Sequence, residues 1–211
     1  MKLSTIATSV ALLASLPAMA YTDLGNITIN SWNPLNSAGA INVTATGAIN
    51  ATFNTFCLEG NESISLESTY NYDVSLTAWV GGNNTAGPAP DGDPLSIGAA
   101  YLFAKYAKLA LSNAQEYDLQ RAIWALEDEI STPVGNSYYN EAVTQYGANV
   151  ESNYNNELFD GNRVVVLNLF RSQSQHRQDL LACVPVADGG ATLLLLGAGL
   201  TAVGITRRRM A

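Results

Sequence analysis

Polar and apolar residues alternate along much of the chain after residue 24. Ile27 and Ile29 stand between polar neighbours, and Ile41, Val43 and Ala45 alternate with Asn42, Thr44 and Thr46 before the stretch from Phe53 to Leu58. A period of two predicts strands, here at close spacing. Thr69 to Val80 alternates as well, with Tyr70, Tyr72, Val74, Leu76 and Ala78 on one face. Gly81 to Pro94 reads as a loop by composition. The period then lengthens. Ser96 to Leu111 predicts an Ala-rich helix stopped or capped near Asn113. A second helix is expected from about Tyr117, with Leu119, Ile123, Trp124 and Leu126 as its apolar stripe, Glu127, Asp128 and Glu129 as a solvated end, and Pro133 and Gly135 as its stop. Ser137 to Tyr154 reads as a weaker surface helix. Arg163 to Phe170 is the clearest strand, Arg171 to Gln178 is polar, and Asp179 to Cys183 predicts a last short strand.

Strands, then helices over about 95–155, then strands again predict an α+β domain: a β-sandwich or barrel-like lobe with an inserted helical lobe. The 211 residues allow one such domain over 21–183, with appendages at both ends.

Composition narrows the function. Hydrophobic residues make up 47% and charged residues 13%, which excludes a disordered chain. The net charge of −8 argues against a nucleic-acid partner. One histidine, His176, leaves no material for a multi-His metal site and little for a Ser-His-Asp triad, so no metal or cofactor is expected. Asp91-Gly92-Asp93 lacks the ligand spacing of an EF-hand. Glu127, Asp128 and Glu129 offer carboxylates for a hydrolase, but consecutive helical positions point in different directions.

Two short patterns carry the candidate chemistry: Phe56-Cys57-Leu58-Glu59 at the end of a strand, and Leu119-Gln120-Arg121-Ala122-Ile123-Trp124 at the start of the second helix. Read alone, the first is a small buried hydrophobe and the second a solvated glutamine. Together they resemble the bacterial thioester domains of surface adhesins, which carry a Cys with an acid two residues on, and later a Gln two residues before Ala-Ile-Trp. The resemblance implies a thioester between Cys57 and Gln120, supported by Phe56, Glu59, Ala122, Ile123 and Trp124. It implies covalent capture of an amine-bearing surface molecule or a protein lysine, which is not enzymatic turnover. The alternative is a structural or matrix-binding envelope protein with an inert Cys57 or a Cys57–Cys183 disulfide, which an exported compartment permits.

The two ends read as addresses. Residues 1–20 have a basic start at Lys2, a short apolar run and Ala18-Met19-Ala20 before the expected cut, as a signal peptide does. Residues 184–211 place a short polar turn before an apolar stretch over 190–206, long enough to span a bilayer marginally, and then Arg207, Arg208 and Arg209. This three-part layout resembles the exosortase-type sorting signals, the PEP-CTERM group and its VPDSG variant. Val186, Ala187, Asp188, Gly189 and Gly190 match that variant with Ala187 for proline and Gly189 for serine. Alternatively the motif starts at Val184-Pro185 with two residues inserted. The resemblance implies a Gram-negative envelope protein, held across the inner membrane, cut by an exosortase-type enzyme and passed to the cell surface or matrix.

Overall fold

The computed structural model describes residues 24–32, 38–79, 92–172 and 175–186. Among the described residues, nine strands and three α-helices follow one another as β1 (Gly25–Trp32), β2 (Ile41–Gly47), β3 (Ala51–Thr55), β4 (Thr69–Ser75), β5 (Thr77–Ala78), β6 (Asp93–Pro94), α1 (Ile97–Tyr106), α2 (Asn113–Leu126), α3 (Ser137–Tyr146), β7 (Asn162–Ser172), β8 (Gln175–His176) and β9 (Leu180–Pro185). All three helices fall inside the expected insertion. Residues 1–20, expected as a signal peptide, and residues 187–211, with Asp188, Gly189, Gly190 and the Arg207–Arg209 cluster, lie outside the described residues. Among the described residues no helix is long and apolar enough to cross a membrane.

The main sheet is antiparallel throughout, in the order β3-β2-β1-β4-β7, with β8 and β9 both returning along β7. Past β3 the chain does not leave the sheet. Cys57 bridges Leu180, flanked by Leu58 N–H to Asp179 O at 2.9 Å and Leu181 N–H to Phe56 O at 3.2 Å. These bonds join β3 to β9 and close the sheet on itself. The result is a single barrel, not a two-sheet sandwich, and Cys57 stands on its closing seam.

Strand alternation explains the barrel interior. Ile27, Ile29, Ile41, Val43, Ala45, Tyr70, Tyr72, Leu167 and Leu180 fill it. The outward positions of the same strands carry short polar side chains that bond each other: Asn30 to Asn42, Asn42 to Asn54, Thr44 with Thr52, and Thr28 with Thr69. β7 breaks the alternation because both its faces are covered. Val165, Leu167 and Leu169 face the interior, while Val164 and Val166 pack against the helices.

The helical layer lies on the outside of β7 and the seam. Ala99, Leu102, Phe103, Leu119, Ile123 and Leu126 pack there against Phe56, Leu58, Val166 and Leu181. Caps set helix positions that periodicity misplaces. Ser112 and Gln115 form a capping box that starts α2 at Asn113, so Asn113 is a helical residue and not the stop of α1, which ends at Tyr106. α3 ends at Tyr146, short of the expected Tyr154, and its Tyr138 and Ala142 are buried. The alternating stretch 69–80 breaks after Ser75, where β5 begins, and Ala78 joins the helical layer while Tyr70 and Tyr72 stay inside the barrel.

Candidate functional site

Gln120 is the eighth residue of α2 and fully buried, with 0% of its surface exposed. Its carboxamide meets Cys57 from across 63 residues of sequence. Cys57 N–H donates to Gln120 Oε1 at 2.9 Å, and Gln120 Nε2 donates to Cys57 O at 2.8 Å. The seam bonds use the main chain of Phe56 and Leu58, not that of Cys57. The side chain of Gln120 therefore fills the place a neighbouring strand would take. A buried carboxamide has to find partners for both ends, and residue 57 supplies both.

The surrounding residues fix this arrangement. Phe56 and Leu58 point into the helical layer, Phe56 edge-on to Phe103 at 6.3 Å. Ala122 and Ile123 are fully buried, and the small Ala122 lies in the layer that brings α2 against the barrel. Trp124 Nε1 donates to Glu59 O at 3.0 Å, and Gln178 Nε2 donates to the same oxygen at 2.8 Å. Gly60 N–H donates to Glu129 Oε2 at 2.8 Å, and Trp79 N–H donates to Asp179 Oδ2 at 3.0 Å. The segment after Cys57 is thus held from α2, from the end of α2 and from the approach to β9.

Glu127 and Glu129 correct the expected solvated end: each is only 4% exposed. α2 ends with Glu127 N–H on Ile123 O and Glu129 N–H on Trp124 O, while Asp128 takes a positive φ of 57°. That left-handed residue turns the chain back and directs both glutamates inward. Glu127 Oε1 accepts from Ser96 N–H at 3.0 Å, tying the ends of α1 and α2 together. The polar segment before β9 is also buried, with Gln178 and Asp179 each 2% exposed.

Carboxylates this close and this dry resist ionisation. Burial raises Glu59 to about 8, helped by the charges of Glu129, Glu62, Asp93 and Glu127. Burial likewise raises Glu127 to about 8 and Glu62 to about 7, and holds Asp179 well above its ordinary value. The Cys57 thiol is pushed up to about 12, by burial first and by the charge of Glu62 second. At neutral pH Cys57 is a thiol.

A cleft of about 340 Å³ opens beside Cys57, lined by Trp32, Ile41, Glu62, Ile64, Trp124 and Gln178 among others. Glu62 and Gln178 were not singled out from sequence. An acid five residues after Cys57, beyond the nearer Glu59, is the sequence signal for Glu62.

Cys57 and Cys183 are both free. Cys57 is opposite Leu180 and packs with the barrel interior, whereas Cys183 pairs with Val164 three residues further on and packs with the helical layer. Three residues of strand span about 10 Å, beyond disulfide reach, and the two side chains face opposite sides of the sheet. The expected alternative disulfide does not fit this geometry. β9 also runs past Cys183: Val184 and Pro185, expected at the start of the sorting signal, are its last two residues, and Val186 N–H bonds Gly161 O. His176 packs edge-on to Trp79 at 6.1 Å. No group of metal-ligating side chains gathers among the described residues.

No protein-family model matches the chain, and no curated protein matches it. Among solved structures it is similar to the N-terminal domain of the Streptococcus pyogenes pilus tip adhesin Cpa, at 12% identity and a TM-score of 0.46, over 80% of this chain and 97% of that one. It is also similar to the N-terminal thioester domain of a surface protein from Clostridium perfringens, there a cysteine-to-alanine mutant, at 15% identity and a TM-score of 0.40, over 77% of this chain and 99% of that one.

Proposed function

We propose that this is an exported surface protein whose working part is an internal Cys57–Gln120 thioester, used once to capture an amine-bearing partner. The observation that carries this reading is the pair of hydrogen bonds between the Gln120 carboxamide and the main chain of Cys57. They close a ring that includes Cys57 Cα, the atom that carries the thiol side chain. Proximity of this kind replaces a bimolecular encounter with a fixed one. The Cys57 N–H already donates to the carbonyl oxygen that gains negative charge when sulfur attacks.

In the first step Sγ bonds to Cδ of Gln120, the C–N bond breaks, and the thiol proton leaves with the amide nitrogen as ammonia. In the second a primary amine attacks the same carbon. The C–S bond breaks, the partner becomes amide-linked to residue 120, and Cys57 regains a proton. Each molecule acts once, so the chain is a capture device and not an enzyme. Residues 1–20 direct export, and the C-terminal segment, with its Arg cluster, tethers the chain to the inner membrane until an exosortase-type enzyme releases it to the surface or matrix.

Intact mass tests the central claim. Purified protein is expected one ammonia lighter than its sequence, and a methylamine adduct is expected to replace the deficit. Cys57→Ala and Gln120→Ala are expected at their plain sequence masses. A wild-type mass without the deficit sinks the reading and leaves a non-covalent envelope protein, in which Gln120 only satisfies the main chain of Cys57.

A further inference from the structure

The cleft beside Cys57 combines two kinds of wall. Trp32, Trp124, Ile41 and Ile64 are apolar or aromatic. Glu62 is the one carboxylate among the described residues that line it. The other acids of the region turn elsewhere: Glu129 to Gly60 N–H and Asp179 to Trp79 N–H. Glu62 accepts a hydrogen bond from the main chain of Asp179, with the positive charge of Arg177 nearby, while its Oε2 has no partner. Its charge reaches the Cys57 thiol. Apolar walls suit the methylenes of an alkyl chain, and a single carboxylate suits the ammonium at its end.

An amine in neutral water is an ammonium ion without a lone pair, so it needs a base before it can attack. We infer that the cleft admits a primary alkylammonium group and that Glu62 accepts the proton this group must lose before it attacks the acyl carbon of Gln120. The inference rests on the thioester reading. One proton passes from the ammonium nitrogen to the Glu62 carboxylate. The neutral amine then forms the C–N bond as the C–S bond breaks, and its second proton goes to Sγ of Cys57. Glu62 afterwards returns its proton to water. Charges that face Glu62 set its working range: Arg177 favours the ionised form, while Glu129 and burial oppose it. The neighbouring Glu59 feels the charge of Glu62 in turn.

The test follows methylamine capture by intact mass from pH 6 to pH 9, on purified wild type, Glu62→Gln and Glu62→Asp. All three are expected to be one ammonia short before amine is added. Glu62→Gln is expected to capture more slowly by roughly a hundredfold or more. Its rate should lose the rise through about pH 7 that the Glu62 carboxylate gives the wild type. Glu62→Asp should keep that rise at an intermediate rate. Capture by Glu62→Gln at the wild-type rate and pH profile would overturn the inference while leaving the thioester intact. A folded Glu62→Gln protein lacking the ammonia deficit would also overturn it, by moving Glu62 to bond formation. A wild type lacking the deficit removes the thioester reading and the inference together, and is recognised before any amine is added.

Discussion

Gln120 grips Cys57 by its main chain: Oε1 takes the N–H at 2.9 Å and Nε2 gives to the carbonyl at 2.8 Å. In a Cys57→Ala background, where no thioester can form and the carboxamide stays intact, this makes a stability prediction independent of covalent chemistry. Gln120→Ala leaves the N–H and C=O of residue 57 without these partners at a seam whose neighbours on both sides are buried. Stranded polar groups of this kind cost about 1–3 kcal/mol each, so a loss of roughly 2–5 kcal/mol is expected in urea unfolding. Gln120→Glu should be at least as damaging, because a carboxylate oxygen would face the carbonyl of residue 57. A loss below about 1 kcal/mol for Gln120→Ala would show that the main chain of residue 57 does not depend on this side chain.

Trp124 offers a milder probe. Its indole N–H shares the Glu59 carbonyl with Gln178. Trp124→Phe removes one of two donors and keeps most of the apolar wall, so a cost of about 1 kcal/mol is expected. Gln178→Ala combined with it should cost more than the two single changes summed, since only the double variant strands the carbonyl. A double-mutant cycle in urea reads this directly, and simple additivity would refute it.

The barrel interior was legible because its alternation is two-sided: Ile27 and Ile29 inside, Thr28 and Asn30 outside. β7 was legible for the opposite reason, since a strand covered on both faces writes a continuous apolar run. The motif pair was legible because Cys57 and Gln120 each stand in a distinctive local string. What stayed hidden were polar residues whose burial depends on tertiary contacts. Glu127 and Glu129 look like a wet helix end until the left-handed Asp128 turns them inward. Gln178 looks like part of a polar segment, and Asp179 like the polar start of a strand, until β3 is seen to close onto β9. Single-sequence patterns report which way a residue points on its own element, and not which element arrives above it.

Cys183 should be dispensable. It lies half-buried on β9, on the sheet face away from Cys57. Cys183→Ser is expected to keep the ammonia deficit and to cost no more than about 1 kcal/mol, and reductant should leave the melting temperature of the wild type unchanged. A reductant-sensitive melting temperature, or a mass short by two hydrogens, would instead report the disulfide that the sheet geometry excludes.

The buried acids make the fold sensitive to alkali. Glu59 and Glu127 titrate near 8 in the folded state, against an ordinary value of 4.5, because burial penalises their charged forms. A carboxyl whose pKa is higher folded than unfolded binds its proton more tightly in the folded state. Its contribution to stability is full below the unfolded value, declines as pH rises above 4.5, and is lost as pH passes the folded value near 8. The melting temperature is therefore expected to be higher at pH 5 than at pH 9, by roughly 5 °C or more. Glu59→Gln should flatten this dependence, because a neutral amide needs no proton to stay buried. It should also spare the hydrogen bonds at the Glu59 carbonyl, which belong to the main chain. Thermal melts across that range decide the matter. A profile that rises toward pH 9, or one that Glu59→Gln leaves unchanged, would mean that this side chain ionises freely inside the fold.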